Sequence, residues 1–224
     1  MLSELGVEHL GLFIVAGWLL NLMPGPDVLC IVSNGLRHGA RAGVVAALGI
    51  TAGCFVHILA AAVGLGALIA ASSTAFTLLK WLGAAYLVVV GLAMMLSRSP
   101  MDAINSIAVS EGVAGARGIK DLKSVFVQGF LTNALNPKVA LFFVAFLPQF
   151  ITPDAPNKPL TFALLGLIFT VNAIPINLGY GLGAAWLSRR FAAFQRGMGW
   201  LQRGAGALFV FFGVRLALSN PSHP

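Results

Sequence analysis

Apolar residues gather in six long runs, at approximately 8–33, 43–69, 76–96, 125–150, 160–187 and 199–218, and the stretches between them hold most of the Arg, Lys, Asp and Glu. A helix needs about 20 predominantly apolar residues to cross a bilayer, so each run predicts one spanning helix. Two interruptions fall inside runs. Residues 17–27 read G-W-L-L-N-L-M-P-G-P-D, and residues 129–138 read G-F-L-T-N-A-L-N-P-K. Each places a Gly, then an Asn four residues on (Gly17 and Asn21; Gly129 and Asn133), then a proline-containing break that begins three residues later, at Pro24 and at Asn136. Helices interrupted at corresponding places in two halves of a membrane protein point to a substrate site between inverted repeats. The pattern predicts an all-α integral membrane protein of six transmembrane helices, arranged as two inverted three-helix repeats with broken first helices. It is read as a single transmembrane domain: residues 1–97 as the first repeat, 98–123 as a cytoplasmic linker and 124–224 as the inverted second repeat.

Composition supports the membrane assignment. Of the 224 residues, 58% are hydrophobic and 9% are charged, against about 25% charged in soluble chains. The first run is not a signal peptide: Glu4 and Glu8 stand where Lys or Arg would, and the apolar stretch continues past the length of an h-region. The net charge of +7 does not indicate nucleic acid, because the basic residues alternate from loop to loop. Arg37 and Arg41 lie between spans one and two, Arg98, Arg117, Lys120 and Lys123 between three and four, and Arg189, Arg190, Arg196 and Arg203 between or beside five and six. Excess Lys and Arg mark the cytoplasmic side, which places both termini outside. Lys80 and Arg215 sit at span ends, where their stems let them snorkel. Three spans per half make the halves antiparallel, so topology and motif repeat, read from different residues, agree.

Small residues recur at four-residue spacing in Gly35, Gly39 and Gly43, and again in Gly49 and Gly53. Such spacing lets helix backbones approach closely in lipid. Cys30 and Cys54 form no CxxC or metal spacing and read as buried small hydrophobes. The segment 151–159, with three prolines, reads as a stiff outer loop.

The chemistry concentrates at the breaks. Pro24 and Pro26 bracket Gly25; each proline lacks an N–H and clashes with the carbonyl four residues back, so the helix should unwind for about a turn. Freed backbone groups are tolerated at membrane depth only where they face protein or a wet cavity. The helix resuming at Pro26 and Asp27 offers its positive end to an anionic group. A carboxylate near mid-membrane costs about 2.5–3.5 kcal/mol on insertion scales and usually lines an ion or substrate path. Asp27 therefore reads as a proton-coupling group, or as an N-cap of the resumed helix. In the second break, Asn136-Pro137-Lys138, the lysine falls within one position of the Asp27 equivalent. An inverted repeat brings Asp27 and Lys138 together, directly or through substrate or water; the alternative is that Lys138 snorkels to the near interface. Asn21 and Asn133 either bind substrate or cap loosened carbonyls. Asn172, Pro175 and Asn177 mark span five as a third irregular helix that lines the cavity. His57 is a titratable candidate whose commoner role is structural. Thr51, Thr132 and Thr170 are expected to bond back to their own helices. There is no GxSxG, HExxH or phosphate-binding glycine loop, and acidic residues are too few for a metal cluster, so neither an enzyme nor a cofactor is expected.

These motifs, in order, resemble the lysine exporter (LysE/RhtB) family of amino-acid translocators. The carrying features are P-G-P-D at 24–27, the glycine-spaced stretch 35–43, A-L-G-I-T-A-G-C-F-V-H at 47–57 and K-W-L-G-A-A-Y-L-V-V-V-G at 80–91. They continue with F-L-T-N-A-L-N-P-K at 130–138 and F-F-V-A-F-L-P-Q-F at 142–150. The resemblance implies a bacterial inner-membrane exporter of amino acids or close derivatives, of the homoserine, threonine, neutral or basic class, driven by the proton motive force. It places function at Asn21, Pro24, Gly25, Pro26, Asp27, Asn133, Asn136, Pro137 and Lys138. The wider superfamily includes ion and metal permeases, the second reading, and thiol carriers, which need a cysteine pair in each half. Partners are then the substrate, protons and the bilayer; glycine-rich inner faces and outward Leu, Val and Phe also allow a homodimer.

Overall fold

The computed structural model describes residues 4–23, 25–65, 121–152, 155–189 and 191–218, with further helical residues at 81, 83–85, 88–89, 91–92 and 95–96. Pro24, much of the predicted third span, nearly all of the 98–123 linker, and the side chains of Arg189, Arg190 and Arg196 lie outside the described residues. Every extended element among the described residues is helical. Helix α1 (Leu10–Leu22) and helix α2 (Pro26–His38) form a pair bent by 50°. Helix α3 (Ala40–Leu59) continues as a π-helical stretch over Ala60–Leu65. Helix α4 (Leu122–Ala134) leads into α5 (Pro137–Ala145) and a 3₁₀ turn at Leu147–Phe150, bent by 43°. Helices α6 (Lys158–Arg189) and α7 (Phe191–Leu218) complete the order. Two helices among the described residues are long and apolar enough to cross a membrane, or four if each bent pair is one span.

Both breaks follow from local chemistry. Met23 and Gly25 are extended, and Pro26 opens α2; proline suits the first helical position because no N–H is needed there and its φ is already helical. At the second break Pro137 again opens the helix, and Asn136 Oδ1 accepts from Lys138 N at 3.0 Å as an N-cap. The expectation of an irregular fifth span is corrected: α6 runs unbroken through Pro175. Pro175 and Val171, the residue whose carbonyl the ring displaces, are both exposed. The disturbance stands on the outside of the bundle, and the packed face keeps its hydrogen-bond ladder.

Glycines set the crossings. A Cβ at Gly49 would collide with Phe126 O; one at Gly53 would lie 2.5 Å from Phe130 O, and one at Gly129 2.5 Å from Ala46 O. These contacts advance together along both chains, so α3 and α4 run parallel with their backbones touching. Gly43 meets Gly181 while Thr170 reaches Cys54, so α3 and α6 run antiparallel. Thr161 donates to Leu5 O, Phe169 packs on Gly17 and Tyr180 donates to Leu22 O, so α1 and α6 run parallel. The two broken helices therefore run in opposite directions. Gly129→Leu is expected to destabilise the protein by about 3 kcal/mol or more, the upper range for overpacking, and to abolish a monodisperse peak on size exclusion in detergent. Gly11→Leu, with open space around it, should leave the peak unchanged.

Two apolar clusters lie on either side of the breaks. One gathers phenylalanines from α1, α5, the 3₁₀ turn, α6 and α7, with Phe142–Phe146 and Phe146–Phe212 ring centroids 4.8 and 4.6 Å apart. The other packs Val28, Ile31, Ala46, Ile50, Val125 and Ala184 of α2, α3, α4 and the end of α6. At the phenylalanine end, Glu8 N donates to Phe150 O (2.9 Å) and Thr152 N to Gly6 O (2.8 Å), beside an isolated bridge between Val7 and Ile151.

Candidate functional site

A helix that ends leaves its last carbonyls without intrahelical donors, and in a bilayer water cannot supply them. Here each break is closed by side chains from the opposite half of the chain. Lys138 Nζ donates to Leu20 O at 3.0 Å and to Met23 O at 3.2 Å, and Tyr180 Oη donates to Leu22 O at 2.8 Å. In return, His57 Nε2 donates to Asn133 O at 2.8 Å, which fixes the ring proton on Nε2. Asn133 Nδ2 donates to Asp27 Oδ2 at 2.8 Å. Asp27 sits in the first turn of α2, where the helix end favours negative charge, and Asn136 flanks it. Asp27 Oδ1 and Asn133 Oδ1 are buried and have no hydrogen-bond partner.

A cavity of about 20 Å³ opens between the breaks, room for about one water. Its polar wall is Asn21, Gly25, Asp27, Asn136, Lys138 and Asn177; its apolar wall is Leu20, Met23, Val28 and Val139. Six of the sequence-derived candidates thus share one cavity. Asp27 and Lys138 both line it without a direct ion pair, since Lys138 Nζ is directed to the two carbonyls of the first break. Those bonds hold Lys138 toward the break rather than toward an interface.

The other candidates lie around this centre. Asn133 is buried and holds Asp27 from behind; His57 is buried and holds Asn133. Asn21 lines the cavity but spends an amide proton on Gly17 O, at 2.8 Å. Pro26 and Pro137 are exposed and start their helices. Asn172 is half-buried and lies off the cavity wall. Thr51, Thr132 and Thr170 bond to Ala47 O, Gln128 O and Gly166 O of their own helices. Cys30 and Cys54 are both buried. Among the described residues no three His, Cys, Asp or Glu gather as a metal site. Sequence reasoning missed Tyr180. Its signal is a phenol in an apolar helix, since a buried tyrosine hydroxyl usually finds a partner. Tyr180→Phe is expected to cost about 1–3 kcal/mol, the penalty of an orphaned buried carbonyl, read as a lower melting temperature in detergent.

Comparison with known proteins places the chain in a family. The model of the LysE type translocator family matches residues 18–220. A membrane protein of Vibrio cholerae, described as uncharacterized, is 34% identical over 93% of this chain and 96% of its own. A homoserine/homoserine lactone efflux protein of Salmonella typhimurium is 32% identical over 92% of this chain and 94% of its own. A leucine efflux protein of an Enterobacter species is 28% identical over 97% and 99%. No solved structure matches the chain. The family match takes in both breaks and every residue of the cavity wall, and this protein belongs to the LysE type translocator family.

Proposed function

We propose that the chain exports amino acids or close derivatives from the bacterial cytoplasm across the inner membrane, in exchange for protons. Six spans in two inverted repeats, 1–97 and 124–224, with both termini outside, give the frame; the opposed broken helices support it. The observation that carries the reading is the shared cavity, which presents one carboxylate, Asp27, and one ammonium, Lys138. An α-amino acid is their complement. Its ammonium faces the unpartnered Asp27 Oδ1, and its carboxylate faces Lys138 and the positive end of α2. Asn21, Gly25, Asn133, Asn136 and Asn177 shape the polar wall or hold it, and Asp27 takes the proton when substrate leaves. A space of about 20 Å³ is too small for an amino acid, so loading requires the walls to part. The efflux proteins among the relatives support the direction and the substrate class.

The test is efflux from proteoliposomes preloaded with radiolabelled amino acids, with and without an outside-acidic gradient, and the same vesicles loaded with divalent cations. Amino-acid efflux accelerated by the gradient is expected. Efflux of ions alone would sink the exporter reading, and gradient-independent amino-acid efflux would sink the proton coupling.

A further inference from the structure

We infer that the site selects amino acids whose side chain carries no positive charge, aliphatic or hydroxylated ones over lysine and arginine. This rests on the exporter reading above and goes beyond it by naming the side-chain class.

The first observation is a property of the whole sequence. Of the seven acidic residues, Glu4 and Glu8 precede or begin the first apolar run, and Asp102, Glu111, Asp121 and Asp154 fall between runs. Asp27 is the single carboxylate within the spans. The second is geometric. Asp27 Oδ2 accepts from Asn133 Nδ2 and the Asn136 side chain stands beside the carboxylate, which leaves Oδ1 as the oxygen without a hydrogen-bond partner, open to a cationic donor. The α-ammonium common to all amino acids takes it. A second cation, on a lysine or arginine side chain, has no counter-charge in the same enclosure. A buried unpaired charge is strongly disfavoured, and Lys138 on the same wall adds repulsion, the kind of element that rejects a wrong ligand. What the cavity does offer is Leu20, Val28 and Val139 for an aliphatic chain, and the buried amide of Asn177 for a hydroxyl.

The experiment pairs lysine with norleucine, which has the same unbranched carbon chain without the terminal ammonium. Counterflow of each is measured in proteoliposomes, with leucine and homoserine as references. Norleucine is expected to move at least about tenfold faster than lysine at equal concentration, a difference of ~1.4 kcal/mol. Asn177→Asp, which adds a second carboxylate to the wall at nearly constant volume, is expected to narrow that ratio; Val139→Asp serves if Asn177→Asp does not fold. Equal transport of lysine and norleucine by the wild type would overturn the inference and leave the exporter reading standing. A folded Asn177→Asp protein with an unchanged ratio would also overturn it. Transport of none of the four would overturn the exporter reading and this inference with it.

Discussion

Asp27→Asn is expected to lower amino-acid efflux by about 100-fold while the protein still reaches the membrane at its wild-type level. Truncating one partner of a buried, hydrogen-bonded charge pair costs about 2–5 kcal/mol, and ~3 kcal/mol is about 100-fold. The change is nearly isosteric, and the new amide keeps an oxygen for the Asn133 Nδ2 donor now 2.8 Å from Asp27 Oδ2. Folding should therefore survive while two things are lost: the counter-charge for the substrate ammonium and the site that takes a proton. Counterflow separates these from driven efflux, because exchange of labelled for unlabelled substrate needs no net proton movement. If gradient-driven efflux is unchanged at equal protein level, Asp27 is not the exchange group, although the chain remains a transporter.

Lys138→Met should have the larger effect on stability. The substitution keeps the aliphatic stem and removes the donor to Leu20 O and Met23 O. An orphaned buried acceptor costs about 1–3 kcal/mol, so two cost roughly 2–6 kcal/mol, a large fraction of the 5–15 kcal/mol typical of folded proteins. The expected result is a sharply lower melting temperature in detergent and reduced accumulation in membranes. Lys138→Arg, which keeps charge and donors, should restore stability more than transport, because a planar guanidinium does not occupy the space of an ammonium. A Lys138→Met protein that melts with the wild type would show that those carbonyls find other donors and that the lysine does not latch the two breaks.

The breaks were legible because proline and glycine act on the backbone beneath them, so their effect is written locally. Asp27 and Lys138 were legible because charge inside an apolar run has few uses. What the sequence could not convey were the tertiary donors. His57 and Tyr180 reach carbonyls on α4 and α1 that only the packing brings near. Asn21 had two readings, and its choice of Gly17 O depends on the carbonyls the helix end sets free. Asn172 and Asn177 looked equivalent by spacing; the rotation of α6 turns Asn177 to the cavity and leaves Asn172 half-buried off its wall. Pro175 was misread because its cost depends on which face it occupies, and an exposed face tolerates it. The glycine pattern at Gly49 and Gly53 foretold close approach but not the partner, which proved to be α4.

The phenylalanine cluster has a mechanical consequence. Its interlocked rings, together with the bonds that pair residue 8 with 150 and residue 6 with 152, weld α1 and α5 to one another and to α6 and α7. Densely packed interiors do not deform smoothly; they move as blocks between discrete arrangements. The weld makes these helix segments one block. Parting α1 from α5 would break these ring contacts, so under the exporter reading the loading of substrate leaves their seam closed.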